Sequence, residues 1–271
     1  MKYLLMRCLL IMTGALSVCS SAYAADRLTD RDVKALVARI EDGRDRFDDA
    51  LDGDLKDDIV RGPSGEVKVE HFLNDFQENI DRLEERLKPE YAASAEAATL
   101  LRQATLVDRF FRQQPTGTRG ESEWNRLATD LKTLAAAYGA DFPLAEGAPV
   151  RRIGDRELAE TAKGIADTAN RLKKSLDNDL KKDTTVDRQA REAIVAEADQ
   201  LSKEAKTLRD RVKDGDPSSA EARQVLNRAA NVQSFIAGHQ VPASAAAWSS
   251  VTERLQNVAS AYGGSWPASA R

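Results

Sequence analysis

Beyond residue 24 the chain contains neither cysteine nor methionine: Cys8, Cys19, Met1, Met6 and Met12 all fall in the first two dozen of its 271 residues. The remainder therefore has no thiol to form a disulfide, no thiolate for a nucleophile or zinc ligand, and no thioether for an axial haem ligand. Its folding does not depend on an oxidising compartment, and sulfur oxidation chemistry has no substrate in it.

Histidine is almost as scarce. His71 and His239 are the only two, and neither stands in a metal-ligating or triad motif. No Glu-x-x-His pair recurs on two helices as a di-iron bundle needs, and no Gly-x-Ser-x-Gly or glycine-rich phosphate loop is present. Paired carboxylates leave no local signature in a chain with 44 acidic residues, so a carboxylate-dependent hydrolase or lyase stands as a third reading. Long apolar runs are missing after residue 24, which excludes a spanning helix of about 20 residues there.

What is present begins with a leader. Residues 1 to 24 combine Lys2 and Arg7, an apolar stretch and Ala22-Tyr23-Ala24, the small-x-small pattern of a cleaved signal peptide. A lipoprotein reading through Cys19 meets Val18 where a small residue is expected. The remaining chain has 38 basic and 44 acidic residues, a formal charge of −6, with both signs interleaved. Such a surface favours solubility and offers no basic stripe for nucleic acid. The expectation is a periplasmic or secreted protein.

Sliding the chain on itself by 125 residues superimposes DRDVKALVARIEDGRDRFDDALDGDLK (30 to 56) on DRELAETAKGIADTANRLKKSLDNDLK (155 to 181), and SAEA at 94 on SAEA at 219. After one residue is lost, Trp124, Leu131, Tyr138 and Gly139 fall on Trp248, Leu255, Tyr262 and Gly263. The pattern reads as a tandem duplication of a unit too long for a solenoid repeat. Within each unit the apolar residues step by three and four, as in Val69, Phe72, Phe76, Ile80, Leu83 and Leu87, the stripe of a helix with one buried face. A first helix unbroken from 30 to about 59 would be roughly 45 Å long.

Punctuation agrees: Thr29 as an N-cap, Gly62-Pro63 and Lys88-Pro89 as stops, Ser94 and Ser219 as caps, and Pro115 and Gly117 before the fourth helix. With no strand pattern visible, the expected fold is all-α: two tandem four-helix bundles over 26–143 and 152–271, joined by a linker over 144–151. The recurring nonapeptides AAAYGADFP (135 to 143) and ASAYGGSWP (259 to 267) read as helix stops. Gly139 and Gly263 take the left-handed position, and Phe142 and Trp266 lay back on their own bundles, with Tyr138 and Tyr262 holding their hydroxyls at the rim.

Two candidate sites emerge. The string LDGDLKDD at 51 returns as LDNDLKKD at 176, so Asp52, Asp54 and Asp58 recur as Asp177, Asp179 and Asp183; such oxygen-rich clusters can hold calcium or another hard cation. Ala50 and Ile59 break the EF-hand register, and a solvated face with Asp52 pairing Lys56 is the alternative. Phe110-Phe111 and Phe235-Ile236 cannot all face one core, which makes Phe111 and Ile236 candidates for contact with a neighbouring bundle or partner. No cofactor is otherwise implied. The functional expectation is a non-catalytic scaffold or binding protein for an envelope protein or an elongated ligand, with cation or small-ligand binding through the Asp strings as the alternative.

Overall fold

The computed structural model describes residues 27–51, 53–62, 65–113, 118–183 and 186–266. The leader, Asp52, Pro63, Pro115, Gly117 and Pro267 lie outside them. Nine helices are found among the described residues, and none is long and apolar enough to cross a membrane. No cysteine occurs among these residues, so none is available for a disulfide there.

In the first half, helix α1 (Asp30–Ala50) packs on α3 (Val69–Arg86) and α5 (Glu121–Ala137), and α4 (Ser94–Gln113) closes the ring against α3 and α5. In the second, α6 (Asp155–Lys182) packs on α7 (Arg188–Asp214) and α9 (Pro242–Ala261), with α8 (Ser219–Gly238) against α7 and α9. Each half has its own hydrophobic core. Ile40, Phe47, Phe76, Leu83, Leu101 and Leu131 are fully sealed in one; Ile165, Leu172, Leu201, Leu208, Val225 and Leu255 are sealed in the other. These are the positions the three-and-four spacing selects, because a helix buries one stripe and leaves the rest to solvent.

The expected helix from 30 to 59 is shorter. Leu51 takes extended backbone (φ −74, ψ 138) and ends α1; a short helix α2 (Gly53–Asp57) follows, then an antiparallel hairpin of β1 (Ile59–Gly62) and β2 (Gly65–Lys68). The hairpin pairs Ile59 with Lys68 and Gly62 with Gly65, and Val69 N–H closes it on the Asp58 carbonyl at 2.9 Å. The second half has Asn178 where the first has Gly53, and there α6 continues unbroken to Lys182. Glycine is about 1 kcal/mol less favourable than alanine inside a helix, enough to place the break.

Thr29 caps α1 as expected. Its hydroxyl accepts from Asp32 N–H at 3.2 Å, and the Asp32 carboxylate accepts from Thr29 N–H at 3.0 Å. The latter bond and one from the Thr29 hydroxyl hold Asp32 below the ordinary carboxylate range.

The connection after α5 is no loose linker. Leu144 is buried in the first core, and its N–H donates to Thr105 Oγ1 at 2.9 Å; Arg152 N–H donates to Ser94 Oγ at 3.1 Å. Both hydroxyls belong to α4, so residues 144 to 152 form a strap laid back along that helix and pinned at each end.

Candidate functional site

The two halves meet through residues that are equivalent at the 125-residue shift: Arg27 with Arg152, Leu28 with Ile153, Asp30 with Asp155. Arg27 donates to the Asp155 carboxylate and to the Ile153 carbonyl, both at 2.5 Å. Arg152 donates reciprocally to the Asp30 carboxylate and, at 2.8 Å, to the Leu28 carbonyl. Asp30 N–H donates to Asp155 Oδ2 at 2.8 Å and Asp155 N–H to Asp30 Oδ2 at 3.0 Å. Residue i contacting j while j contacts i is the signature of an isologous two-fold interface, here formed within one chain.

The reciprocity has a local cause. Asp30 and Asp155 are the first residues of α1 and α6, whose opening N–H groups lack partners within their own helices. Gly154 precedes α6 and has no side chain to cap it. Each carboxylate therefore serves the other helix, where the positive end of the helix dipole favours it. Arg152 keeps only 2% of its side chain exposed and Arg27 10%, so both charges are withdrawn from water against fixed partners.

The two nonapeptides line opposite sides of a cavity of about 450 Å³ at this junction, with Tyr138 and Gly139 from one half and Ala261 and Gly263 from the other. Gly139 and Gly263 have φ of +68° and +72°, and Phe142 and Trp266 are buried in their own cores, as the helix-stop reading requires. The tyrosines go deeper than expected. Tyr138 is fully buried and donates to the Ala92 carbonyl at 2.7 Å; Tyr262 shares a 2.7 Å hydrogen bond with Ser218. Burial pushes both phenols up from their ordinary value. Neither is placed as a base.

Among the described residues the aspartates of the two strings do not gather. Asp54 and Asp58 are exposed, and Lys56 pairs with Asp48 at 2.7 Å. Asp177 pairs with Lys181 at 2.6 Å one turn away. Asp179 accepts from Ser244 N–H at 3.0 Å and Ser244 Oγ at 2.8 Å, capping the first turn of α9 from α6. Asp183 is the C-cap of α6. Among the described residues no group of three or more His, Cys, Asp or Glu side chains could hold a metal ion. His71 is exposed, and His239 is exposed with its ring stacked on Phe235 at 3.9 Å.

Phe111 lies inside the first core, with ring centroids 5.2 Å from Phe47 and 6.1 Å from Trp124; Phe110 is the half-buried neighbour. Ile236 is half-buried against the second core. Both belong to the C-terminal ends of α4 and α8, whereas the junction is made by residues 27 to 30 and 152 to 155, with an ion pair between Glu90 and Arg156 beside them. Contact between the halves is therefore not their role.

A second cavity, of about 540 Å³, has no such symmetry. The strap residues Leu144 to Gly147 form one wall and α4 the other, with Arg102, Leu106 and Arg109 along it and Asn79 of α3 at the edge. Sequence reasoning missed this cleft because it followed what the halves share. At the 125-residue shift Arg102, Leu106 and Arg109 become Asn227, Asn231 and Ser234. The seam beside them differs as well. Asn79 donates to Gln103 at 2.7 Å in the first half, while their equivalents Glu204 and Arg228 form an ion pair at 3.1 Å that Glu197 joins at 2.9 Å. No family model matches the chain, and neither a curated protein nor a solved structure does.

Proposed function

We propose that the chain is a tandem duplication of one four-helix bundle, exported behind the leader at residues 1 to 24. In this reading it acts without catalysis, as a rigid binding or scaffold protein for an envelope protein or an elongated ligand. The observation that carries it is the divergence of the copies. Core stripe, helix stops and junction are kept in both halves, while Arg102, Leu106 and Arg109, which line the cleft on α4, become Asn227, Asn231 and Ser234 in the second half. Parts that serve folding recur in a duplication; a surface specialised in one copy marks where something other than folding acts.

Crosslinking in intact cells, with photoreactive groups placed at Thr99 and Ala145 on the rim of the cleft, tests this. Capture of one defined envelope partner or ligand is expected. A chain that reacts only with itself or with water at both positions, while the rest of the envelope is labelled normally, would overturn the reading.

A further inference from the structure

Resting on the binding reading above, we infer that the cleft between α4 and the strap takes a small elongated organic dianion, two carboxylate groups held apart by an apolar spacer. Arg102 and Arg109 stand seven residues apart, about 10.5 Å along the helix and within about 20° of the same face. Leu106 lies between them on that face, and Leu144 of the strap is buried beside it. The wall therefore reads cation, apolar, cation. An anion, apolar, anion ligand complements it.

Both guanidiniums are exposed, and neither has a carboxylate partner among the described residues. Arg27, Arg44, Arg112, Arg152 and Arg228, by contrast, are each engaged by acids. Guanidinium presents a fork of donors that matches carboxylate oxygens two at a time, so two unengaged arginines on one wall give geometry as well as charge. Glu146, exposed on the strap, is the single acidic side chain lining the cleft, and no ion pair joins it to either arginine. It sets a limit on the ligand: a third anionic group would meet it.

Size separates a small molecule from a polymer. A cleft of about 540 Å³ is in the range of small-ligand pockets, roughly 300 to 1,000 Å³. The corresponding seam of the second half supplies the internal comparison. There the arginine at the position of Gln103 is consumed by Glu204 and Glu197, and the free pair is absent.

The test is calorimetric titration of the intact chain with unbranched α,ω-dicarboxylates of increasing length, each against the monocarboxylate of equal carbon number. One intermediate diacid length is expected to bind best, at least tenfold tighter than its monoacid. R102Q and R109Q should each abolish that tenfold advantage without moving the melting temperature. E146Q should tighten binding several-fold, and R46Q, on the exposed face of α1, should change nothing.

Diacids binding no tighter than monoacids, or retaining their advantage in both arginine variants, would overturn the inference. So would an oligoglutamate peptide that outcompetes every diacid, since the site would then belong to an acidic protein segment, and so would the absence of binding at millimolar concentration. Repeating the crosslinking with the double arginine variant separates the two proposals. Capture that persists while diacids fail to bind removes the dianion and leaves the scaffold; no capture from the unaltered chain removes the scaffold, and the titration then stands on its own.

Discussion

Asp30 and Asp155 each accept a hydrogen bond from the other's backbone N–H, at 3.0 and 2.8 Å, so the first turn of each lobe's opening helix is capped by the other lobe. Arg152 closes this arrangement from within, almost entirely out of solvent. Replacing it with methionine keeps the length of the side chain and leaves the Asp30 carboxylate without its arginine, while Asp155 keeps Arg27. Breaking a buried pair from one side typically costs about 3 to 5 kcal/mol. R152M is expected to lower the melting temperature and to split one cooperative transition into two; a single transition at the original temperature would show that the lobes are held by other means.

Gly139 ends α5 with φ of +68°, and a Cβ there has room, meeting only the Arg151 carbonyl at 3.7 Å. The penalty for a side chain is therefore backbone strain rather than collision, roughly 1 to 2 kcal/mol for an ordinary residue in the left-handed region and more for a β-branched one. G139A should destabilise the first core modestly and G139V further. Equal melting curves for the three proteins would count against the helix-stop assignment.

Trp124 Nε1–H donates to the buried Asp108 carboxylate at 3.3 Å, which Arg112 also engages at 2.6 Å. At the equivalent position the second lobe carries Gln233, whose Oε1 is buried without a hydrogen-bond partner. The two positions thus have opposite prospects. W124F should cost about 1 to 3 kcal/mol by leaving a buried acceptor short. Q233M removes an unsatisfied one, and should leave the melting temperature unchanged or raise it; a clear drop would mean that the glutamine is engaged.

Asp199 sits between Lys173 at 2.7 Å and Lys203 at 2.8 Å. Hydrogen bonds from both ammonium groups pull its carboxyl down to about 2, below its ordinary value of 3.8. A group depressed on folding contributes stability that is complete above its unfolded value and disappears as the pH falls through the folded one. Native chain and D199N should therefore differ in melting temperature at pH 6, converge between about pH 4 and 2, and coincide below. A gap independent of pH would place the effect elsewhere.

Asp179 separates a structural role from a cation site. Its carboxylate caps α9 through Ser244, and losing such a cap costs about 0.5 to 2 kcal/mol. D179A should lower stability by the same amount with calcium added and with calcium chelated. A loss seen only when calcium is present would restore the cation reading of the aspartate strings.

Local order was legible where a single helix decides it. The stripe from Val69 to Leu87, the Thr29 cap and the glycine stops at 139 and 263 each follow from spacing within a few turns. The hairpin at 59 to 68 was hidden because its strands are four residues long and read as the end of a helix; Gly53, with Asn178 at the matching position of the other half, was the signal. The junction was hidden for a different reason. Arg27 and Asp155 are 128 residues apart, and periodicity carries no information on which helix ends meet, although RLTDR and RIGDR are repeated at the matching shift. The cleft lay beyond a comparison that looked for sameness, since Arg102 and Arg109 are where the two halves differ.

The strap from Leu144 to Arg152 is tied to α4 at Thr105 and Ser94, and its last residue is also the arginine that fastens the lobes. In mechanical terms it is a tendon with a fixed anchor at each end. One stretch of backbone thus both walls the cleft and carries the arginine that joins the lobes.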